Sequence, residues 1–449
     1  PEKSPEAEFI RERRAALGGS LPARRRKAAS LPTPDLDAFK SQLEGTGDRE
    51  VSTTMSFVRI LSTILRDKQL GKYVVPIVPD ESRTFGMEGM FRQLGIFSQV
   101  GQLYTPEDRE QLMFYREDKH GQVRQEGINE PGAMSSFIAA GTSYSNHGVQ
   151  TIPFYIYYSM FGFQRVGDLA WAAGDNRTRG FLLGGTAGRT TLNGEGLQHE
   201  DGHSHVLSST IPNCVSYDPT YGYEVAVIVQ EGLRRMVAEQ EDVFYYLTLM
   251  NENYPHPPMP EGAEEGILRG IHRIAGDGKG AVQLLGSGTI LREVEAAAGL
   301  LKDDWGIDAD VYSVTSFTEL GRDGMGAERW SLLHPDEHAR VPFVTTQLGG
   351  GHGPFVAVSD FMRAVPLQIA RWVPGDVHAL GTDGFGFADT RPAARRFFNV
   401  DAESVVVQAL QALAQQGSVK AETVSEAFAK YRIDDPTAVS GIAQEGGDA

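Results

Sequence analysis

The sequence predicts an α/β protein of two doubly wound domains, and three observations carry that reading. Short apolar runs ending in Gly-rich or acidic loops alternate with helical patterns along most of the chain, as expected of parallel strands covered by helices on both faces. The alternation breaks at YPHPPMPEGAEEG, residues 254–266, and a second series of the same kind follows. The length, 449 residues, suits two or three units of ~100–200 residues each. We expect a linker over 1–45, a first domain over 46–258 and a second over 265–449.

Taken in order, SLPARRRKAASLPTPDLDAF is polar and Pro-punctuated, a linker with a short helix at either end. STTMSFVRILSTILRDK has apolar residues at helical spacing behind Ser and Thr N-cap candidates. YVVPIVPDESRTFG reads as a buried strand ending in an acidic loop, and AMSSFIAAGTSYS as a helix of small residues. TIPFYIYYSMFGFQRVGDLAWAAG is an aromatic strand turning into a helix, and RGFLLGGTAG a strand ending in a Gly-rich loop. IPNCVSYDPTYGYEVAVIVQEGLRRM gives strand, loop and helix, and VFYYLTLMNENY a further strand. In the second series, AVQLLGSGTILREVEAAAGLL is strand, turn and helix, and DADVYSVTSFTEL contains a strand. VPFVTTQLGGGHGPFVAVSDF, VHALGTDGFGFADTRPAARRFF and a helical tail follow. Ligands of open α/β sheets bind beyond the carboxyl ends of the strands. The candidate site edges are therefore DESRTFG, QEGINEPG, SMFGFQR and GGTAGRTTLNGEGLQHEDGHSH.

Composition excludes several classes. A net charge of −17 argues against nucleic acid as the main partner, and the short basic run Arg24–Lys27 reads as solvated linker. No run of about 18 apolar residues is present, so no membrane span is expected. The single cysteine, Cys214, cannot form an internal disulfide, which fits a reducing compartment and a cytoplasmic location. We expect it to be a buried structural thiol. The opening PEKSPEAEFIRERRAALG reads like the middle of a longer polypeptide.

QHEDGHSH holds His199, Glu200, Asp201, His203 and His205, but its spacing does not match a His-Glu-x-x-His metal helix. We read it as a polar active-site loop and expect no metal ligands, since histidine suits proton transfer near neutral pH. LLGGTAGRTT lacks phosphate-loop spacing. The aromatic run from Phe154 to Phe163 fits packing, with one or two rings left to stack on a flat heterocycle. Glu130, before Pro131-Gly132, is an acid at a helix start, where the helix dipole alone would favour it. A role in hydrogen-bonding a cofactor ring is the alternative.

The long stretches EGINEPGAM, IPFYIYYSMFGFQRVGDLAWAAGD, GGTAGRTTLNGEGLQHEDGHSH and IPNCVSYDP closely resemble the homodimeric bacterial decarboxylating components of the pyruvate dehydrogenase complex. These belong to the transketolase-like thiamine diphosphate enzymes. LNENY, SVTSFTELGRDG and LGTDGFGFADTR extend the resemblance through the second half. It implies a transketolase-like pyrimidine-binding domain followed by a transketolase C-terminal domain with a mixed sheet. Thiamine diphosphate is the implied cofactor. Its Mg2+ ligands are expected in an N-terminal domain outside this chain, because the Gly-Asp-Gly…Asn motif is missing here.

By motif, Glu130 resembles the glutamate that hydrogen-bonds the aminopyrimidine ring, and Phe161 the ring that stacks on it. Tyr158 and Arg165 match pocket positions, and Asp80 and Glu81 match acids near the cofactor, Glu81 as a proton relay. His199 resembles the histidine near the reacting carbon, with Glu195 ordering its loop. Implied partners are a second copy of the chain, the N-terminal half of the enzyme, pyruvate and the dihydrolipoyl acetyltransferase core. The implied reaction is oxidative decarboxylation of pyruvate with reductive acetylation of a lipoyl group. The alternatives are another enzyme of the superfamily, a transketolase or deoxyxylulose-phosphate synthase, and a non-catalytic dimerisation or scaffold fragment.

Overall fold

The computed structural model describes residues 3–19, 25–79, 82–107 and 115–435. Two sheets organise them. The first contains β1 (Val74–Val78), β2 (Arg124–Gln125), β3 (Ile152–Tyr158), β4 (Phe181–Gly185), β5 (Cys214–Tyr217) and β6 (Phe244–Thr248). Their order is β2-β1-β3-β4-β6-β5, and every pair is parallel. The chain moves outward from β1 in one direction to β2 and in the other to β3. The carboxyl ends of β1 and β3 therefore flank the point where strand order reverses, the usual crevice of such sheets.

Continuous apolar strands follow from burial on both faces. On β3, Phe154 stacks on Phe181 with centroids 4.5 Å apart and packs in the cluster that includes Phe57 and Ile60 of the helix Thr53–Arg66. Tyr155 and Tyr157 join the opposite cluster, with Ala133, Met134 and Phe137 of the helix Glu130–Gly141. Ser52 caps the helix Thr53–Arg66, its hydroxyl accepting from the Met55 N–H at 3.1 Å.

The second sheet contains β7 (His272–Ala275), β8 (Val282–Gly286), β9 (Ala309–Ser313), β10 (Phe355–Val358) and β11 (Val377–Leu380), in the order β7-β9-β8-β10-β11. Only the edge strand β7 runs antiparallel, so the sheet is mixed, as the resemblance implies. The VPFVTTQL stretch is a short helix, Phe343–Leu348, rather than part of the β10 strand.

The segment around Ala28 is tethered to the first half. Gln240 donates from Nε2 to the Ala28 carbonyl at 3.0 Å and accepts the Ala28 N–H on Oε1 at 2.9 Å, as a neighbouring strand would. The two halves are joined through buried polar groups. Glu224, completely buried, accepts N–H groups of Thr220 and Tyr221 on one oxygen. Its other oxygen accepts the Ser313 hydroxyl of β9 and contacts His272 Nε2 of β7 at 2.8 Å. Buried Arg395 pairs with Glu293 at 2.9 Å and with Glu252, which Arg292 also reaches at 2.7 Å.

Candidate active site

Glu130 opens its helix. Asn129 caps that helix by accepting the Gly132 N–H at 3.1 Å, and Pro131 sits in the first turn, where no N–H is needed. The Glu130 side chain is buried, and Arg165 Nη1 lies 2.9 Å from Oε1. Glu126, four residues earlier, is occupied differently: its Oε1 accepts the Ser136 hydroxyl at 2.7 Å and the Arg124 guanidinium at 3.3 Å. Of the two acids in QEGINEPG, only Glu130 joins the aromatic cluster described next.

That cluster forms at the carboxyl end of β3. The Arg165 guanidinium stacks 4.2 Å from the centroid of Phe161. Phe161 meets His199 edge-on at 5.3 Å, and Tyr158 meets His199 edge-on at 4.7 Å. Tyr158 also packs on Phe85 at 5.2 Å and donates to Thr84 Oγ1 at 3.2 Å. Thr84 and Phe85 follow β1, Glu130 follows β2, Phe161 and Arg165 follow β3, and His199 follows β4. Four consecutive carboxyl ends thus meet in one crevice. Gly162 permits the tight turn after Phe161, because a Cβ there would lie 2.2 Å from the Tyr157 ring.

The structure brings Glu130, Tyr158, Phe161, Arg165, Glu195 and His199 together. Glu195 Oε2 approaches His199 Nδ1 to 3.3 Å without closing a hydrogen bond. Asp80 and Glu81 lie outside the described residues. His205 separates from His199, because the last two residues of that motif begin a helix, Ser204–Ser209. His205 is buried between Tyr246 and Phe361, its Nε2 lies 3.0 Å from Thr248 Oγ1, and loss of solvent lowers its pKa to about 4. Among the described residues no group of three or more metal-ligating side chains converges. Cys214 is buried and its thiol pKa is pushed up by desolvation.

Sequence reasoning missed what holds the histidine loop. Asp201 accepts the N–H groups of His203 and Ser204, both at 2.9 Å, and the Ser159 hydroxyl, fastening the loop to the tip of β3. An Asp just before a helix was the available signal. The remaining anchors come from the second domain. Asp360 accepts the hydroxyls of Thr190 at 2.7 Å and Thr191 at 2.6 Å. Arg391 donates to the Thr191 carbonyl at 2.6 Å, and Arg189 to that of Thr382. Glu200 Oε2 accepts the Phe387 N–H at 2.5 Å, and a Cβ at Gly386 would lie 2.1 Å from that oxygen. Burial raises the pKa of both Asp360 and Glu200. Thr186, where the loop leaves β4, has φ of 48°, a left-handed conformation that costs about 1 kcal/mol or more and is held by these contacts.

Comparison with known proteins agrees with this arrangement. Residues 30–257 match the family model described as pyruvate dehydrogenase E1 component middle domain, and residues 270–401 match the transketolase-like C-terminal domain. The pyruvate dehydrogenase E1 component of Pseudomonas aeruginosa is 63% identical over 437 residues, covering 96% of this chain and 50% of that protein. That of Escherichia coli K12 is 55% identical over 439 residues, covering 97% of this chain and 49% of that protein. The chain spans about half the length of these curated relatives. Campylobacter jejuni transketolase superposes with a TM-score of 0.60 at 15% identity, covering 91% of this chain and 51% of that one, which shows a shared fold. With its first sheet and the crevice of Glu130, Phe161 and His199 inside the matched middle domain, the chain belongs to the pyruvate dehydrogenase E1 component family.

Proposed function

We propose that this chain forms part of a thiamine diphosphate-dependent enzyme that oxidatively decarboxylates pyruvate and passes the acetyl group to a lipoyl carrier on the dihydrolipoyl acetyltransferase core. The observation that carries the reading is the junction of a buried carboxylate, Glu130, a flat ring, Phe161, and an imidazole, His199, in one crevice. The residues fit the aminopyrimidine end of the cofactor, which needs a carboxylate for a ring nitrogen and an aromatic face. Glu130 would hold the ring-nitrogen proton, and Phe161, with Tyr158 behind it, would fix the ring plane. Arg165 keeps Glu130 paired while leaving Oε2 open to the ligand. Thiamine diphosphate, when bound, supplies the nucleophilic carbon and the electron sink for loss of carbon dioxide.

His199 would hold a proton on Nδ1 toward Glu195 and turn Nε2 to the substrate carboxylate or the oxygen that gains charge. The diphosphate and its Mg2+ are assigned to a second polypeptide portion, and two copies of the chain are expected to pair around the completed sites. We place the enzyme in the cytoplasm. Alone, this chain is expected to be inactive. A solved split-gene transketolase, described as an inactive β4 tetramer, supports this expectation; it aligns over 98% of its length at a TM-score of 0.53 and 15% identity. A scaffold reading therefore stands as the second hypothesis.

Adding the remaining portion of the enzyme in trans and measuring pyruvate-dependent acceptor reduction separates the two. Activity restored on mixing, and lost in Glu130→Ala, supports the enzyme. No restoration by a correctly assembled mixture sinks it.

A further inference from the structure

The helix Thr53–Arg66 buries one face and presents another that the crevice does not use. Arg59, Ser62, Thr63 and Arg66 are spaced i, i+3, i+4 and i+7, so they form one stripe. That stripe is one wall of a cavity of about 360 Å3. Gly86, Gly89, Gln93 and Ser41 make more of its wall, and Val58 and Met90 supply apolar surface. A Cβ at Gly89 would meet nothing within 4 Å, so this wall is open down to its backbone.

Among the described residues no carboxylate lines the cavity, although acids exceed bases by 17 in the whole chain. Arg59 has no carboxylate partner among the described residues. Partial burial and the neighbouring Arg49 both disfavour its charge. Arg66 spends one N–H on Ser62 Oγ at 2.6 Å and keeps the rest of its fork. Two guanidiniums without a carboxylate partner among the described residues, one of them bonded to a hydroxyl, make a receptor for a planar or tetrahedral oxyanion. With only two cations, both exposed side chains at a concavity open to solvent, the site suits a small molecule rather than a nucleic acid backbone. The apolar walls suit an organic remainder.

We propose that this cavity binds a small phosphate-bearing organic molecule, its phosphate gripped by Arg59 and Arg66 with the Ser62 and Thr63 hydroxyls. The site is separate from the crevice, yet the two share a turn: Gly86 directly follows Phe85, whose ring packs on Tyr158.

The test is calorimetric titration of the chain with phenyl phosphate at constant ionic strength, repeated on Arg59→Ala, Arg59→Gln and Arg66→Ala. Arg329→Ala, an exposed charge in the second domain, serves as the control. Thermal denaturation checks that each variant is folded. One saturable site is expected, weakened at least tenfold in all three cavity variants and unchanged in the control. Absence of saturable binding, or equal binding by all variants, overturns the proposal; absence would point instead to a covering polypeptide with its own carboxylate.

Discussion

Asp218 offers a quantitative test of how the two domains meet. It follows β5, is buried, and accepts the Thr248 hydroxyl on Oδ1 at 2.6 Å. Oδ2 has no hydrogen-bond partner, and the Ser287 hydroxyl sits nearby without one. Desolvation raises its pKa from 3.8 to about 7. The Thr248 and Ser287 hydroxyls oppose this, and the Asp360 and Glu224 carboxylates add to it. Unfolding therefore releases a proton between these two values, so stability is highest below the unfolded pKa and falls as pH rises toward about 7. At 1.36 kcal/mol per unit, the ionised group costs roughly 4 kcal/mol at about pH 8 but only about 2 kcal/mol at about pH 5.

Asp218→Asn cannot ionise, keeps the acceptor for Thr248 and offers an N–H to Ser287. Chemical denaturation of both proteins at the two pH values isolates Asp218 and its coupling to Asp360 and Glu224, because groups remote from it titrate alike in both. The variant should gain on the parent by about 2–3 kcal/mol between pH 5 and pH 8. A difference that does not change with pH would refute the reasoning.

Gly162→Ala should destabilise the chain by about 1–3 kcal/mol through the clash with Tyr157, seen as a lowered thermal midpoint. Arg395→Met should cost about 3–5 kcal/mol in denaturant titrations, since Glu252 and Glu293 lose their main buried counter-charge. Cys214 should not react with an aromatic disulfide reagent in the native chain and should yield one equivalent after unfolding. His205 should show no imidazole titration by NMR above about pH 5, because its pKa is lowered to about 4.

Much of the fold was legible because the central strands announce themselves locally; the two-residue β2 and the antiparallel edge strand β7 did not. β3 is an unbroken run of large apolar residues, and a strand buried on both faces must be one. The place of Glu130 was legible for the same reason: an acid before Pro-Gly at the head of a small-residue run spells a helix start. What stayed hidden depends on distance along the chain. Asp360 lies 170 residues from Thr190, and no local pattern links an acid after one strand to hydroxyls after another. The split between His199 and His205 was equally unreadable, because the helix that buries His205 starts inside the motif.

The fastening of residues 189–200 from both sides has a thermodynamic corollary. Asp201 ties this segment to Ser159 in its own half, while Asp360, Phe387 and Arg391 tie it to the other. Undocking the halves would leave the His199 loop held only by Asp201 and the rings of Tyr158 and Phe161, even with every strand intact. The second half thus has work to do although it supplies none of the crevice groups: association of the two lobes and placement of the imidazole are coupled equilibria, and loosening the proline-rich joint would widen the range of positions the histidine visits.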